Sequence, residues 1–144
     1  MRTVRDLLDV KGEQTWSVAP DQTVYEAIAL MAERHIGAVL VFEGDRMVGI
    51  LSERDYARQV ILKGKASKDT PVREIMTARV ITVEPKHGID DCMAIMTDKR
   101  IRHLPVVDGD RVVGILSIGD VVKGVISEKQ SHIEQLEDYI KTSG

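Results

Sequence analysis

The sequence has few aromatic residues and only one cysteine. Aromatic side chains make up 3% of the 144 residues, so the hydrophobic 43% must supply a largely aliphatic core. The single cysteine, Cys92, has no partner for an internal disulfide or for a zinc site. We therefore exclude a disulfide-stabilised scaffold, and we expect Cys92 to be a reduced residue of the core.

Strongly basic segments and long apolar runs are also missing. The 20 basic and 23 acidic residues are mixed along the chain and give a net charge of -3, which offers no basic surface for nucleic acid. Apolar runs reach only about five residues, whereas a membrane-spanning helix needs roughly 20. The charged first ten residues do not resemble a signal peptide. These features predict a cytoplasmic protein that binds neither nucleic acid nor membranes.

The chain contains an internal repeat, and this changes the meaning of every motif in it. With an offset of 65, Pro20–Ile61 aligns without a gap to Pro85–Ile126, with 16 identities in 42 positions. Nine of the twelve positions from Gly44 to Asp55 are identical in the second copy. Upstream, Val4–Leu8 resembles Val72–Met76 at an offset of 68, so the first copy has three extra residues near position 12.

Hydrophobic periodicity predicts the same β-α-β-β-α order in each copy. In the first copy the elements are a strand at Thr15–Val18, a helix from Thr23, strands at Ala38–Phe42 and Met47–Leu51, and a helix from Ser52 to Ile61. Thr23 and Glu26 predict a capping box, and Glu43–Arg46 predicts a hairpin turn. In the second copy, Val80–Val83 predicts the first strand.

A three-stranded unit of this size is marginally stable alone, so we expect the two copies to bury their apolar faces against each other. The predicted fold is of mixed α/β (α+β) class, with two tandem β-α-β-β-α repeats packed with pseudo-two-fold symmetry. The predicted organisation is a first repeat at residues 1–62, a linker at 63–71, a second repeat at 72–126 and a helical tail at 127–144.

The tail has an apolar stripe formed by Ile133, Leu136 and Ile140. One hypothesis is that the tail closes the protein and packs on its own module. The other is that it binds a partner helix.

A Gly-hydrophobic-x-Ser-x-x-Asp motif follows the hairpin in both copies, at Gly49–Asp55 and at Gly114–Asp120. The sequence Arg-His-Leu-Pro at Arg102–Pro105 accompanies the second motif. Together these features resemble the CBS (cystathionine β-synthase) domain, and the tandem resembles a stand-alone CBS pair, or Bateman module, over residues 4–126. The first copy departs from the pattern at Leu40, where the second copy has Pro105.

The resemblance implies two nucleotide clefts, each lined by both copies. The first would take Lys11, Thr15, Trp16, Gly37, Ala38, Ser117, Ile118, Gly119 and Asp120. The second would take Ser52, Glu53, Arg54, Asp55, Val80, Ile81, Arg102 and His103. The resemblance further implies that each aspartate binds ribose hydroxyls, that each serine faces phosphate, and that apolar side chains such as Ile81 contact the base.

Each of these assignments has a structural alternative. Ser-x-x-Asp before a helix is also a capping box, in which the serine caps the helix and the aspartate reaches back. Trp16 could stack on a ligand ring or be a core residue of an edge strand, and His103 could bind ligand or be a hydrogen-bonded strand residue. Arg54 and Arg102 favour phosphate in the second cleft, whereas the first is nearly neutral apart from Lys11.

The sequence contains no convincing catalytic set. Its histidines, His35, His87, His103 and His132, lack metal-ligand spacing. The resemblance therefore implies a non-enzymatic regulatory module that senses AMP, ATP or NAD(H), requires no metal, forms a homodimer and acts on a protein partner that the sequence does not name. The alternative is a structural homodimerisation module with vestigial clefts.

Overall fold

The computed structural model describes residues 2–143 as a mixed α+β fold with two small sheets, which confirms the predicted class. The helices are α1 (Val4–Lys11), α2 (Val24–Arg34), α3 (Glu53–Tyr56), α4 (Ile89–Lys99) and α5 (Ile118–Ser143). The strands are β1 (Ser17–Val18), β2 (Ala38–Glu43), β3 (Arg46–Ser52), β4 (His103–Asp108) and β5 (Arg111–Ser117). A π-helical turn at Ala57–Ile61 continues α3, and a 3-10 turn covers Val72–Glu74.

The chain forms two compact units that do not coincide with the sequence repeats. One unit is Thr15–Val80, which we call the first unit. The second unit combines Met1–Gln14 with Ile81–Gly144, of which residues 2–14 and 81–143 are described. Helix α1 therefore belongs to the unit of the second repeat, and the 3-10 turn at Val72–Glu74 belongs to the unit of the first. The predicted repeat boundaries stay a prediction.

The core of the second unit contains residues from α1 and from the second repeat. Its buried members are Val4, Leu7, Leu8, Val83, Ile89, Cys92, Met96, Leu104, Val106, Leu116 and Val121. Leu8 packs so closely on β5 that a Cβ atom built on Gly114 would lie 2.6 Å from Leu8 Cδ2. The absence of a side chain at Gly114 is therefore what admits α1 to this core.

In the first unit, the segment Val72–Met76 takes the place that α1 has in the second unit. Val72 and Ile75 are buried in its core. A Cβ atom built on Gly49 would lie 2.6 Å from Met76 Sδ. Gly49 and Gly114 are equivalent in the repeat, as are Met76 and Leu8, so both units use the same close approach.

Both hairpins have the predicted positions and the same register. Leu40 lies opposite Ile50 in the first, and Pro105 lies opposite Ile115 in the second. The turns contain Gly44 at a φ of 62° and Gly109 at a φ of 67°, a left-handed conformation that glycine adopts without strain. Leu40 and Pro105 occupy equivalent buried positions in their strands.

The predicted first strand differs between the two units. In the first unit, β1 pairs in parallel with β2, with Ser17 opposite Leu40. In the second unit, the strand predicted at Val80–Val83 is wrong, because only Val83 makes an isolated parallel bridge, to Val106. Its amide donates to Pro105 O at 3.1 Å, and its carbonyl accepts from the Val107 amide at 2.9 Å. Val83 alone thus pairs with the edge of β4, through these two backbone hydrogen bonds.

The starts of α2 and α4 differ in whether the acidic residue of the first turn reaches back to the cap. The Thr23 side chain accepts from the Glu26 amide at 3.1 Å, but the Glu26 carboxylate accepts from Gln22 Nε2 rather than completing the predicted box. At α4, Asp91 Oδ2 accepts from the Gly88 amide at 3.0 Å. Asp91 is therefore a capping aspartate that lies outside the Ser-x-x-Asp motifs.

The tail is a direct continuation of α5 and not a separate helix. Val121 is buried in the core of the second unit, but Ile133, Leu136 and Ile140 are 48%, 50% and 67% exposed. The stripe is therefore about half exposed or more, and the two hypotheses for the role of the tail stay predictions. In the same part of the chain, no helix is long and apolar enough to cross a membrane.

Candidate functional site

The first Ser-x-x-Asp motif joins β3 to α3. The Ser52 amide and hydroxyl both donate to Asp55 Oδ2, at 2.9 and 3.0 Å. The Asp55 amide donates back to Ser52 Oγ at 3.2 Å. These contacts form a complete capping box, so the structural alternative is confirmed at this motif.

The second motif, between β5 and α5, has the same geometry. The Ser117 amide and hydroxyl donate to Asp120 Oδ2 at 2.7 and 3.0 Å. The Asp120 amide donates to Ser117 Oγ at 3.2 Å. Within each motif, capping therefore uses one carboxylate oxygen, Oδ2, and a capping role does not exclude ligand binding at the other.

Lys11 makes the two motifs different. Its ammonium group donates to Asp120 Oδ2 at 2.6 Å and to the Ile115 carbonyl at 2.7 Å. The Lys11 and Asp120 side chains are 33% and 22% exposed, so this ion pair is only partly solvated. Burial acts to raise the pKa of Asp120, but the Lys11 and Ser117 hydrogen bonds and the Lys11 charge outweigh it, and the net pKa is lowered.

A backbone pairing takes the place of this ammonium in the first unit. Ile50, the repeat equivalent of Ile115, exchanges two backbone hydrogen bonds with Thr77, at 2.9 and 3.0 Å. The Ile50 carbonyl on β3 therefore accepts from a backbone amide, whereas the equivalent Ile115 carbonyl on β5 accepts from the Lys11 side chain. The three extra residues near position 12 were the only sequence signal for this difference.

Two further predicted residues lie beside the motif in each unit. In the first unit, Ala38 lies opposite Ser52, and the Glu53 amide donates to the Gly37 carbonyl at 3.0 Å. Gly37 and Ala38 thus line the start of α3.

The second unit has Arg102 and His103 at the equivalent places. His103 lies opposite Ser117, and the Ile118 amide donates to the Arg102 carbonyl at 2.8 Å. A Cβ atom built on Gly119 would meet only Ser117 Oγ, at 3.6 Å, so the start of α5 is open there.

The remaining predicted residues are divided between the units. Thr15, Trp16, Arg54 and Val80 belong to the first unit, and Ile81 belongs to the second. The Arg34 guanidinium lies 4.1 Å from the centre of the Trp16 ring, and the ring packs against the core of the first unit. These contacts favour the core interpretation of Trp16. The grouping of these residues into two ligand clefts stays a prediction.

The fold and both motifs agree with a known family. A family model described as "CBS domain" matches residues 4–61 and again residues 72–127. The chain belongs to the CBS domain family. It is 38% identical over 149 residues to the CBS domain-containing protein CBSX3, mitochondrial, of Arabidopsis thaliana, covering 96% of this chain and 72% of that protein.

Solved structures with CBS domains are similar over most of the chain. One, a protein with CBS domains from Burkholderia ambifaria MC40-6, has a TM-score of 0.84 and 52% identity, and the match covers 87% of this chain and 94% of that chain. Another, a CBS domain protein from Pyrobaculum aerophilum complexed with AMP, has a TM-score of 0.73 and 25% identity, covering 82% of this chain and 88% of that one. The family thus includes a nucleotide-binding member.

Cys92 and the acidic residues suggest no additional chemistry. Cys92 is a free, buried thiol, and burial together with the nearby Asp91 charge raises its pKa to about 11. A thiol with this pKa is protonated at neutral pH and is a poor nucleophile. Within residues 2–143, no three histidine, cysteine, aspartate or glutamate side chains are grouped to hold a metal ion.

Proposed function

We propose that this CBS domain protein is a non-enzymatic regulatory module that binds an adenine nucleotide, AMP, ATP or NAD(H), and transmits the bound state to a protein partner. The observation that carries the proposal is the duplicated Ser-x-x-Asp geometry, in which each aspartate is oriented by its serine and placed at a helix start. The AMP complex of a family member supports an adenine nucleotide as the ligand class.

The chemistry of the motif suits a ribose. A carboxylate accepts charge-assisted hydrogen bonds, and two neighbouring hydroxyls can donate to one carboxylate group. The serines hold Asp55 and Asp120 through Oδ2, so their side chains are fixed before a ligand arrives. Preorganisation of this kind lowers the entropic cost of binding.

A specific observation also favours the alternative, a structural homodimerisation module with vestigial clefts. The capping boxes at Ser52 and Ser117 account for both motifs without any ligand. The two functions differ in their response to nucleotide, because only a module with working sites is stabilised by one.

A thermal shift measurement separates the two functions. We expect AMP, ATP or NADH at about 100 times its dissociation constant to stabilise the protein by about 2.7 kcal/mol, which corresponds to roughly 5 to 10 °C in Tm. ADP and S-adenosylmethionine complete the panel, and pyrophosphate serves as the control for nonspecific anion effects. A Tm that no nucleotide raises would favour the structural module.

We further propose that the protein is a homodimer. Ile61 and Ile126 are equivalent in the repeat and are 57% and 61% exposed, and Leu62 beside Ile61 is 79% exposed. Exposed apolar side chains that recur at equivalent positions suit a self-complementary interface.

Light scattering at micromolar concentration is expected to give twice the mass of the chain. The double variant Ile61→Glu with Ile126→Glu is expected to be a monomer, because it places four charges in the dimer interface. The control is Val10→Glu, a position that is 71% exposed on α1. A monomeric wild type, or a double variant that stays dimeric, would contradict this assignment.

A further inference from the structure

We propose that Lys11 makes the ligand site at Asp120 weaker for a ribose than the site at Asp55, because its ammonium already pairs with the Asp120 carboxylate. This inference rests on the proposed function of the two Ser-x-x-Asp motifs. It assigns a role to the ammonium that donates to Asp120.

The argument begins with the acceptor capacity of each carboxylate. Asp120 Oδ2 receives three donors, the Ser117 amide at 2.7 Å, the Ser117 hydroxyl at 3.0 Å and the Lys11 ammonium at 2.6 Å. Asp55 Oδ2 receives two, both from Ser52, at 2.9 and 3.0 Å. A carboxylate oxygen has about two lone-pair sites, so the serine donors already fill Oδ2 in both motifs, and the Lys11 ammonium is the additional, charged donor at Asp120.

Lys11 is also held in place from a second side. Its ammonium donates to the Ile115 carbonyl at 2.7 Å, an edge acceptor of β5. In the first unit, the equivalent carbonyl of Ile50 accepts from the Thr77 amide at 2.9 Å. A backbone amide has a single N–H, so it cannot also donate to a carboxylate as the lysine ammonium does. The lysine therefore satisfies a backbone acceptor and covers Asp120 at the same time.

One consequence follows for a ligand. In both motifs the remaining acceptor capacity lies at Oδ1, which can accept from two hydroxyls. At Asp120 the ammonium already pairs with the carboxylate charge, so a ribose hydroxyl gains less from this carboxylate than from Asp55, whose Oδ2 accepts from Ser52.

The opposite role for Lys11 is chemically reasonable and makes the test decisive. An ammonium has three N–H donors, and two of those of Lys11 are used by Ile115 and Asp120. The third could donate to a ligand phosphate, in which case Lys11 would strengthen binding. The partly exposed pair favours masking, since the ligand must compete with a 2.6 Å ion pair before it gains anything.

The test uses calorimetric titration of AMP into Asp55→Ala, a variant that leaves only the Asp120 site. Adding Lys11→Met, which keeps the aliphatic chain and removes the ammonium, should tighten AMP binding by roughly two- to fivefold, the range for a partly exposed ion pair. The control is Lys123→Met, an exposed lysine on α5 that removes the same charge.

Each outcome has one meaning. Weaker or unchanged AMP binding in Lys11→Met, with the Asp55 site of the otherwise wild-type chain still binding AMP, would overturn this inference and leave the proposed function intact. No AMP binding by the wild type or any variant would overturn the proposed function and this inference with it. Should Lys11→Met not fold, Lys11→Gln replaces it, because its amide still donates to Ile115 without a charge.

Discussion

Replacing Leu8 by alanine is expected to destabilise the second unit by about 2 to 5 kcal/mol, the usual cost of truncating a fully buried leucine. Leu8 is 1% exposed and lies in one core with Leu104 and Leu116, which come from the hairpin of the second repeat. The loss measures how strongly a helix from the start of the chain supports a sheet near its end. Urea denaturation followed by circular dichroism gives the free energy of unfolding.

A second substitution identifies the contact responsible. Gly114→Ala alone should destabilise the protein by about 1 to 3 kcal/mol, because its new Cβ would lie 2.6 Å from Leu8 Cδ2. In Leu8→Ala the same methyl group enters the space that Leu8 has left. The double variant should therefore be more stable than the sum of the two single effects predicts, by about 1 kcal/mol or more.

The repeat provides a matched control for this cycle. Gly49→Ala places a methyl group 2.6 Å from Met76 Sδ and 3.1 Å from the Thr77 carbonyl, in the other unit. Its cost should be the same in the wild type and in Leu8→Ala. Additive effects of Leu8→Ala and Gly114→Ala, or equal coupling of Leu8 to both glycines, would show that α1 does not pack on β5 as described.

Local patterns were enough to predict the two hairpins. Alternating apolar residues on either side of Gly44 and Gly109 specify strand, turn and strand within a few residues, so no distant contact is needed. The positions of Ser52 and Ser117 at helix starts followed for the same reason. A capping box is a local structure with a short sequence signature, although the same signature at Thr23 and Glu26 gives only the first of its two hydrogen bonds.

Such patterns could not predict that the first segment of each repeat packs in the unit of the other repeat. An apolar face on Val4–Leu8 shows that the helix must be covered, but it does not say which of two similar cores covers it. A clue was present in the repeat, because Gly49 and Gly114 recur together with Met76 and Leu8. A glycine within a strand indicates a close approach, but the approaching residue becomes known only from the fold.

The sequence placed Lys11 and Asp120 in one predicted cleft, but it did not predict their ion pair, for a related reason. A lysine on the last turn of a helix is ordinarily an exposed residue that complements the helix dipole. Here it reaches Asp120 and Ile115, which lie more than a hundred positions away in the sequence. The repeat alignment places Arg79 at the position equivalent to Lys11, and a comparison of charge alone suggests that the two sites are alike.

Asp55→Ala combined with Asp120→Ala is expected to abolish nucleotide binding, with affinity reduced at least about 100-fold. Each site would lose two hydrogen bonds to a charged acceptor, which are worth about 1.5 to 3 kcal/mol each. Titration calorimetry with AMP measures the loss, and each single variant should retain one binding site. The double variant should also lose about 1 kcal/mol of stability per motif, because each aspartate completes a capping box.

That shared role in capping requires a control that separates a weakened helix start from a missing ligand contact. Asp91 provides it, because its Oδ2 accepts from the Gly88 amide at 3.0 Å at the start of α4, outside both motifs. Asp91→Ala should cost a similar amount of stability and leave AMP affinity unchanged. If Asp91→Ala weakens binding as much as the motif variants, or if the motif variants keep their affinity, the aspartates act as caps only. Loss of binding confined to Asp55 and Asp120 would mean that the repeat conserves a ligand contact within an ordinary helix cap.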